Sequence, residues 1–147
     1  MSIVELFRSH PMGVDDGPLP HAVAEAITCA IICTGCADAC LSEEEPAKLA
    51  RCIRLDLDCA DICTAMAAQA MREPRTSSER FISVLQLCAE SCDACAAECA
   101  QHQDMHDHCA ICARACRKCA QACRDAIAGL QGAAPRSLAY DTPAVTL

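Results

Sequence analysis

The amino-acid sequence predicts an all-α fold, an antiparallel up-down-up-down four-helix bundle with a cysteine-lined core. Three observations carry that expectation. Four segments of about 22 to 26 residues are separated by short turns, and helices joined so closely must be antiparallel neighbours. Cysteines and other apolar residues recur in steps of three and four, and nothing alternates with the period of two that a strand requires. Sixteen of the 147 residues are cysteine, whereas Phe7, Phe81 and Tyr140 are the only Phe, Tyr or Trp. Cys and Ala, with some Leu, Ile and Met, therefore have to build the interior.

At this length the chain is one domain. Residues 1–18 read as a leader with one short helix around Ile3 to Arg8, ended by Pro18 and Pro20. The bundle covers residues 19–130. Its first helix runs from about Leu19 to Leu41, and SEEEP (Ser42 to Pro46) makes the turn. The second runs from about Ala47 to Arg72 and is stopped by EPRTSS, where Pro74 breaks the helix and Ser77 or Ser78 can cap the next. The third covers about Ser78 to Gln101 and the fourth about Met105 to Leu130. Between them lies HQDMHDH, a turn rich in metal-ligand side chains. Gly129 and Gly132, then Pro135, end the fourth helix, and residues 131–147 are expected as an extended tail.

The cysteines fall on one stripe of each helix. They stand at Cys29, Cys33, Cys36 and Cys40 in the first, Cys88, Cys92, Cys95 and Cys99 in the third, and Cys109, Cys112, Cys116, Cys119 and Cys123 in the fourth. At about 100° per residue, such steps keep the thiols of one helix within an arc of roughly 60°. The first and third helices repeat the same C-x3-C-x2-C-x3-C pattern. The second has Cys52, Cys59 and Cys63, with Asp56 on the stripe between them and Met66 and Ala70 continuing it. A buried aspartate needs a partner, which makes Asp56 a candidate ligand or an acceptor beside the ligands.

The predicted topology layers these residues across the bundle. Cys40, Cys52, Cys99 and Cys109 fall near one end, then Cys36, Asp56, Cys95 and Cys112. Cys33, Cys59, Cys92 and Cys116 come next, and Cys29, Cys63, Cys88 and Cys119 last. Thiols four residues apart on a helix face have Cβ atoms about 5 to 6 Å apart, close enough to hold one ion between two sulfurs. Soft thiolates select Cu(I), Zn(II) and iron–sulfur clusters. Structural zinc sites use cysteine knuckles on turns, whereas the C-x2-C pairs here lie inside alanine-rich helix. Cu(I) accepts two or three sulfurs, so an intrahelical C-x3-C is a natural clip. Seven such clips occur, from Cys29 with Cys33 to Cys119 with Cys123.

On these clips the segment from about Leu19 to Leu130 resembles the copper storage proteins, four-helix bundles whose cores hold many Cu(I) ions on cysteines. The resemblance implies multiple Cu(I) ions per chain, no catalysis and assembly into homotetramers, with a copper chaperone or a small thiol as candidate donor. It points to the cytosolic branch, because the N-terminus MSIVELFRSHPMGVDDG lacks the basic start and apolar run of a secretory signal. Asp56 and the three-cysteine second helix depart from a fully cysteine-lined pattern.

Other readings are weighed against this one. A core that uses cysteine only for packing would not need sixteen in register. A disulfide-stapled helical scaffold needs an oxidising compartment. Iron–sulfur cysteines usually come from loops, and a thiol–disulfide oxidoreductase needs one reactive C-x-x-C near a strand. Zinc or cadmium buffering is the main rival. The net charge of −8 argues against nucleic acid and anionic membranes as partners, and no stretch is expected to approach the unbroken apolar length that a transmembrane helix requires.

Continuing each stripe past its last cysteine gives the two ends different characters. His102 follows Cys99, while Met105, His106 and His108 stand just before or beside Cys109, and this end is read as the mouth through which copper passes. The other end continues into Met66, Ala70, Phe81, Val84, Leu85, Ile127 and Leu130 and is expected to be closed by hydrocarbon. His10 and His21 read as solvated, and Asp38, Asp61, Glu90 and Asp93 as the wet outer face.

Overall fold

The computed structural model describes residues 2–11, 17–72 and 79–132. Helix α1 (Ile3–Arg8) is followed by four long helices: α2 (Leu19–Leu41), α3 (Ala50–Arg72), α4 (Glu79–His102) and α5 (Asp107–Gly132). The described residues contain no strand. The long helices form a ring in which α2 packs on α3 and α5, and α4 on the same two. Their directions follow from residue pairs across the core. Cys52 meets Cys99 while Cys63 meets Cys88, so α3 and α4 run oppositely. Cys29 meets Cys116 while Cys36 meets His108, so α2 and α5 do too.

The buried stripe of every long helix follows steps of three and four. That is the heptad seam of helices packed knobs into holes, with cysteine at most of the seam positions. Asp56 occupies one of them in α3 and is 0% exposed. Towards the far end the seam changes from sulfur to hydrocarbon: Leu19, Val23, Ala26, Met66, Ala70, Phe81, Leu85, Ala126 and Leu130 are buried there, with Val84 and Ile127 half-buried. The hydrocarbon closure read from the sequence is present in these residues. The short α1 adds to it: Ser2 caps this helix by accepting the Glu5 N–H at 3.2 Å, and Phe7 is 1% exposed in the same core.

Several boundaries differ from those expected. Pro46–Leu49 form a 3-10 turn before α3 begins at Ala50, because the Lys48 N–H reaches back only three residues to the Glu45 carbonyl. Helix α5 starts at Asp107, so Met105 lies in the turn. The Met105 and His106 N–H groups both bond the His102 carbonyl and close α4. The His106 carbonyl then accepts from Cys109 and Ala110 and opens α5. Gly129 does not end α5, which continues to Gly132. Its missing side chain instead makes room for Pro18, whose Cγ would lie 2.9 Å from a Cβ at this position. Pro20 is tolerated inside α2 because N–H groups of the first turn have no helical partner. The break at Pro74, the caps Ser77 and Ser78, and the tail with Pro135 lie outside the described residues.

One expectation about composition is corrected. Helix α2 is long and apolar enough to cross a membrane, with mean hydropathy 1.6 over its best window. Part of that apolarity is the buried stripe from Leu19 to Cys40 that packs against the other helices, and part is the exposed Ile27, Ile31 and Leu41.

Candidate metal centre

The four helices bring all sixteen cysteines to one axis, and every one is buried and free. Within helices, the sulfurs of Cys29 and Cys33 are 3.8 Å apart, Cys59 and Cys63 3.9 Å, and Cys95 and Cys99 as well as Cys112 and Cys116 4.0 Å. Between helices, Cys33 lies 3.5 Å from Cys116 and 3.6 Å from Cys112, and Cys59 lies 3.6 Å from Cys92. Cys63 lies 3.6 Å from both Cys88 and Cys92 and 3.9 Å from Cys119. Cys123 interacts with Cys88 and Cys119 at the hydrocarbon end of the tube.

The predicted layers are recognisable but staggered. Cys29 touches Cys59 at 4.0 Å and Cys116 at 3.7 Å, one layer away from its expected partners, and Cys33 also reaches Cys95 at 4.0 Å. The helices interleave their side chains instead of meeting at one height, as seams of helices packed knobs into holes do. The result is overlapping groups of four. Cys29, Cys33, Cys59 and Cys116 share one cluster, Cys33, Cys95, Cys112 and Cys116 another, and Cys29, Cys63, Cys92 and Cys119 a third, each with ligand atoms within 4.8 Å of one another.

Distance alone does not choose the ion. With metal–sulfur bonds of about 2.3 Å, a tetrahedral ion spans roughly 3.8 Å between sulfurs, a trigonal one roughly 4.0 Å and a linear one roughly 4.6 Å. The observed separations need only small side-chain movements to meet any of these. Sharing is more informative, because Cys29, Cys33 and Cys116 each belong to two clusters. Closed tetrathiolate sites would have to compete for them, whereas ions bridged by common sulfurs use them all.

Asp56 sits inside this array. Its Oδ1 receives Cys95 at 3.0 Å, Cys112 at 3.3 Å and Cys99 at 3.4 Å, and Cys52 lies 3.9 Å from Oδ2. Burial pushes its pKa up to about 8, against the opposing hydrogen bond from Cys95. Burial likewise pushes the Cys109 thiol up to about 12 and raises Cys40. Deeper in, neighbouring thiols split each other: the bond between Cys112 and Cys116 lowers the former and raises the latter.

At the mouth, His108 turns Nδ1 towards the core, 3.4 Å from Cys36, 3.5 Å from Cys109 and 4.0 Å from Cys40. These four residues form a candidate metal group of their own, and Cys36 and Cys40 form another with Cys52 and Asp56. His106 stacks on His108, with ring centroids 5.3 Å apart. His102 instead bonds Glu98 at 3.2 Å, and Glu98 also takes Arg51 at 3.0 Å. Met105 is 72% exposed in the turn. The structure thus brings His108 to the thiols, places His106 beside it, and leaves His102 and Met105 on the rim.

Reading the sequence alone missed two carboxylates. Glu98 is buried, and Glu43 accepts from His108 at 2.9 Å and pairs with His106 at 3.1 Å, which holds its pKa below the usual carboxylate range. The available signal was topological: in an up-down-up-down bundle the SEEEP turn and the histidine-rich turn fall at the same end. Asp38, Asp61, Glu90 and Asp93 are exposed, the last paired with Arg124 of α5, and His21 is exposed beside Glu25.

A helical bundle with an unbroken column of reduced thiols, closed by hydrocarbon at one end and ringed by histidines at the other, defines a multinuclear thiolate metal-binding protein. The copper storage protein family model matches residues 17–128, and the chain belongs to that family. It is similar to a copper storage protein of Streptomyces lividans, Ccsp, whose structure loaded with 10 copper equivalents superimposes with a TM-score of 0.82 at 47% identity over 87% of this chain and 99% of that one. A second structure of that protein, described as cytosolic and holding five coppers, gives a TM-score of 0.71 at 49% identity over 76% and 93%. The Cu(I)-bound copper storage protein BsCsp3 gives 0.62 at 40% identity over 71% and 92%. The cysteine-rich protein YhjQ of Bacillus subtilis is 43% identical over 93 residues, 63% of this chain and 81% of that one.

Proposed function

We propose that this protein stores Cu(I) in the cytosol, taking many ions per chain onto the cysteine thiolates of the bundle. The observation that carries the reading is the sharing of Cys29, Cys33 and Cys116 between adjacent clusters, which suits an ion content with two or three bridging sulfurs per metal. The sixteen cysteines are the ligands in this reading. Asp56 is an oxygen ligand or acceptor where the second helix lacks a thiol, and His108 is the ligand nearest the mouth. His106, His102 and Met105 serve passage. No bond of a substrate is made or broken, so the protein is not an enzyme in this account. A copper chaperone or a small thiol delivers the ion.

The same account has the chain assemble as a homotetramer. An apolar groove lined by Leu6, Ile27, Ile31, Ala68 and Met71 supports self-association, since Ile31 is 71% and Leu6 59% exposed. X-ray absorption of the anaerobically loaded protein tests the ligand set. Sulfur-dominated coordination with copper–copper scattering is expected. A shell dominated by nitrogen and oxygen, or isolated ions with four sulfurs each, would favour surface binding or zinc buffering instead.

A further inference from the structure

Two histidines at the mouth are tied to a single atom. Oε1 of Glu43 lies 2.9 Å from Nε2 of His108 and 3.1 Å from Nδ1 of His106. The two rings are stacked, 5.3 Å between centroids and 24° between planes. The carboxylate is itself held in place, because Glu43 follows the cap of α2 and its N–H bonds the carbonyl of Cys40 at 3.3 Å. The interaction spans the turn between α2 and α3 and the turn between α4 and α5, so it fastens the two loops that frame the tube.

A carboxylate oxygen can only accept, so each nitrogen facing it carries a proton. His108 is therefore held with its proton on Nε2 and its lone pair on Nδ1, the nitrogen within 3.4 to 4.0 Å of Cys36, Cys109 and Cys40. His106 is held the other way, with its proton on Nδ1 and its lone pair on Nε2. Free neutral histidine prefers the proton on Nε2, so the His106 form is the one that needs enforcing. Only a lone-pair nitrogen can bind Cu(I), and the nitrogen it offers is set by the hydrogen bond at the other.

We propose that Glu43 is the positioning residue of the copper entrance: by accepting the Nε2–H of His108 and pairing on the same oxygen with Nδ1 of His106, it fixes His106 and His108 in opposite tautomers, so that they present Nε2 and Nδ1 respectively to a passing Cu(I) ion. His108 then offers its nitrogen to the thiols of Cys36, Cys40 and Cys109, and His106 offers the nitrogen that Glu43 does not cover. Two adjacent stations with opposite ring faces let an ion move from the first to the second without either ring turning over. The inference rests on the storage reading for its cargo, although the tautomers themselves do not depend on copper.

The test uses the full reduced chain, with histidine labelled with nitrogen-15, in three forms: unaltered, Glu43→Ala and Glu43→Gln. Two-bond nitrogen–proton correlation spectra at about pH 8, where unperturbed imidazole is neutral, read each tautomer without metal. In the unaltered protein His106 is expected with its proton on Nδ1 and His108 with its proton on Nε2. In Glu43→Ala, His106 reverts to the Nε2 proton and anaerobic Cu(I) loading slows about 10-fold, with total capacity unchanged to within one ion. Glu43→Gln retains an acceptor oxygen, and it is expected to keep both tautomers and most of the rate. Finding His106 with its proton on Nε2 in the unaltered protein would overturn the proposal. So would Glu43→Ala with unchanged tautomers, or Glu43→Gln slowed as much as Glu43→Ala. If the unaltered chain takes up only two to four ions, the storage reading fails, and the metal-free spectra still decide the role of Glu43.

Discussion

The Cys95 thiol donates to Oδ1 of Asp56 across 3.0 Å, from α4 to α3, in a part of the core where neither residue meets solvent. The same oxygen takes Cys99 of α4 and Cys112 of α5, so one carboxyl of α3 serves thiols of both α4 and α5. Burial strips the carboxylate of its hydration, which is why its pKa rises to about 8.

The first prediction is the pH dependence of the metal-free protein. The folded-state pKa of Asp56 lies above the ordinary aspartate value of 3.8, so the folded state binds the proton more tightly. Its contribution to stability is fully present below about 4 and is lost as pH rises towards about 8, with a limiting slope of roughly 1.4 kcal/mol per pH unit. Asp56→Asn removes that slope. Denaturant unfolding of the reduced protein at several pH values between 5 and 8 checks this, and equal slopes for both proteins would refute it.

Cys33 is a heavily shared sulfur of the central tube, within 4.0 Å of Cys29, Cys95, Cys112 and Cys116. Cys33→Ala is expected to remove more than one Cu(I) from the total, because bridged ions lose a common ligand. It should destabilise the metal-free fold by about 1–2 kcal/mol, the scale of one small buried group. Cys123→Ala, at the end of the column, should remove no more than one ion. Elemental analysis after anaerobic loading compares the two, and equal losses would argue for separate closed sites.

At the mouth, replacing His102, Met105, His106 and His108 together should slow loading and removal of Cu(I) while leaving capacity almost unchanged. Single variants should divide unequally. His108→Ala slows loading most, since its Nδ1 lies 3.4 Å from the Cys36 sulfur and 3.5 Å from that of Cys109. Met105→Ala changes little, because Met105 is 72% exposed and lies in the turn. Stopped-flow loading from a Cu(I) complex distinguishes them, and a dominant effect of Met105 would reverse the order of stations.

At the opposite end, Phe81 is fully buried with Met66 and Leu85 in the core. Phe81→Ala should cost about 3–5 kcal/mol of stability without speeding copper uptake, provided loading is measured well below the unfolding transition. Faster loading in that variant would place a second opening behind the hydrocarbon.

Most of the tube was legible because helical periodicity places a residue on a face regardless of tertiary detail, and cysteine is unambiguous on such a face. Asp56 stood out for the same reason, as the one acidic side chain on a thiol stripe. The stagger that pairs Cys29 with Cys116 was not legible, since relative height between helices is set by packing across the core. The burial of Phe7 depends on how a six-residue helix docks, which its own pattern does not specify. The sequence shows Glu43 only as one residue of the SEEEP turn, because its partners His106 and His108 are more than sixty residues away in the chain. Met105 was placed at the start of a helix because nothing in its identity reveals that the His102 carbonyl closes the preceding one.

The most direct test of the account is anaerobic titration of the reduced full-length protein with Cu(I), followed by gel filtration and elemental analysis, in the presence and absence of competing Zn(II). Sulfurs shared along the column predict a content on the order of one Cu(I) per cysteine, retained against zinc. Saturation at two to four ions per chain, or displacement of copper by Zn(II), would contradict it.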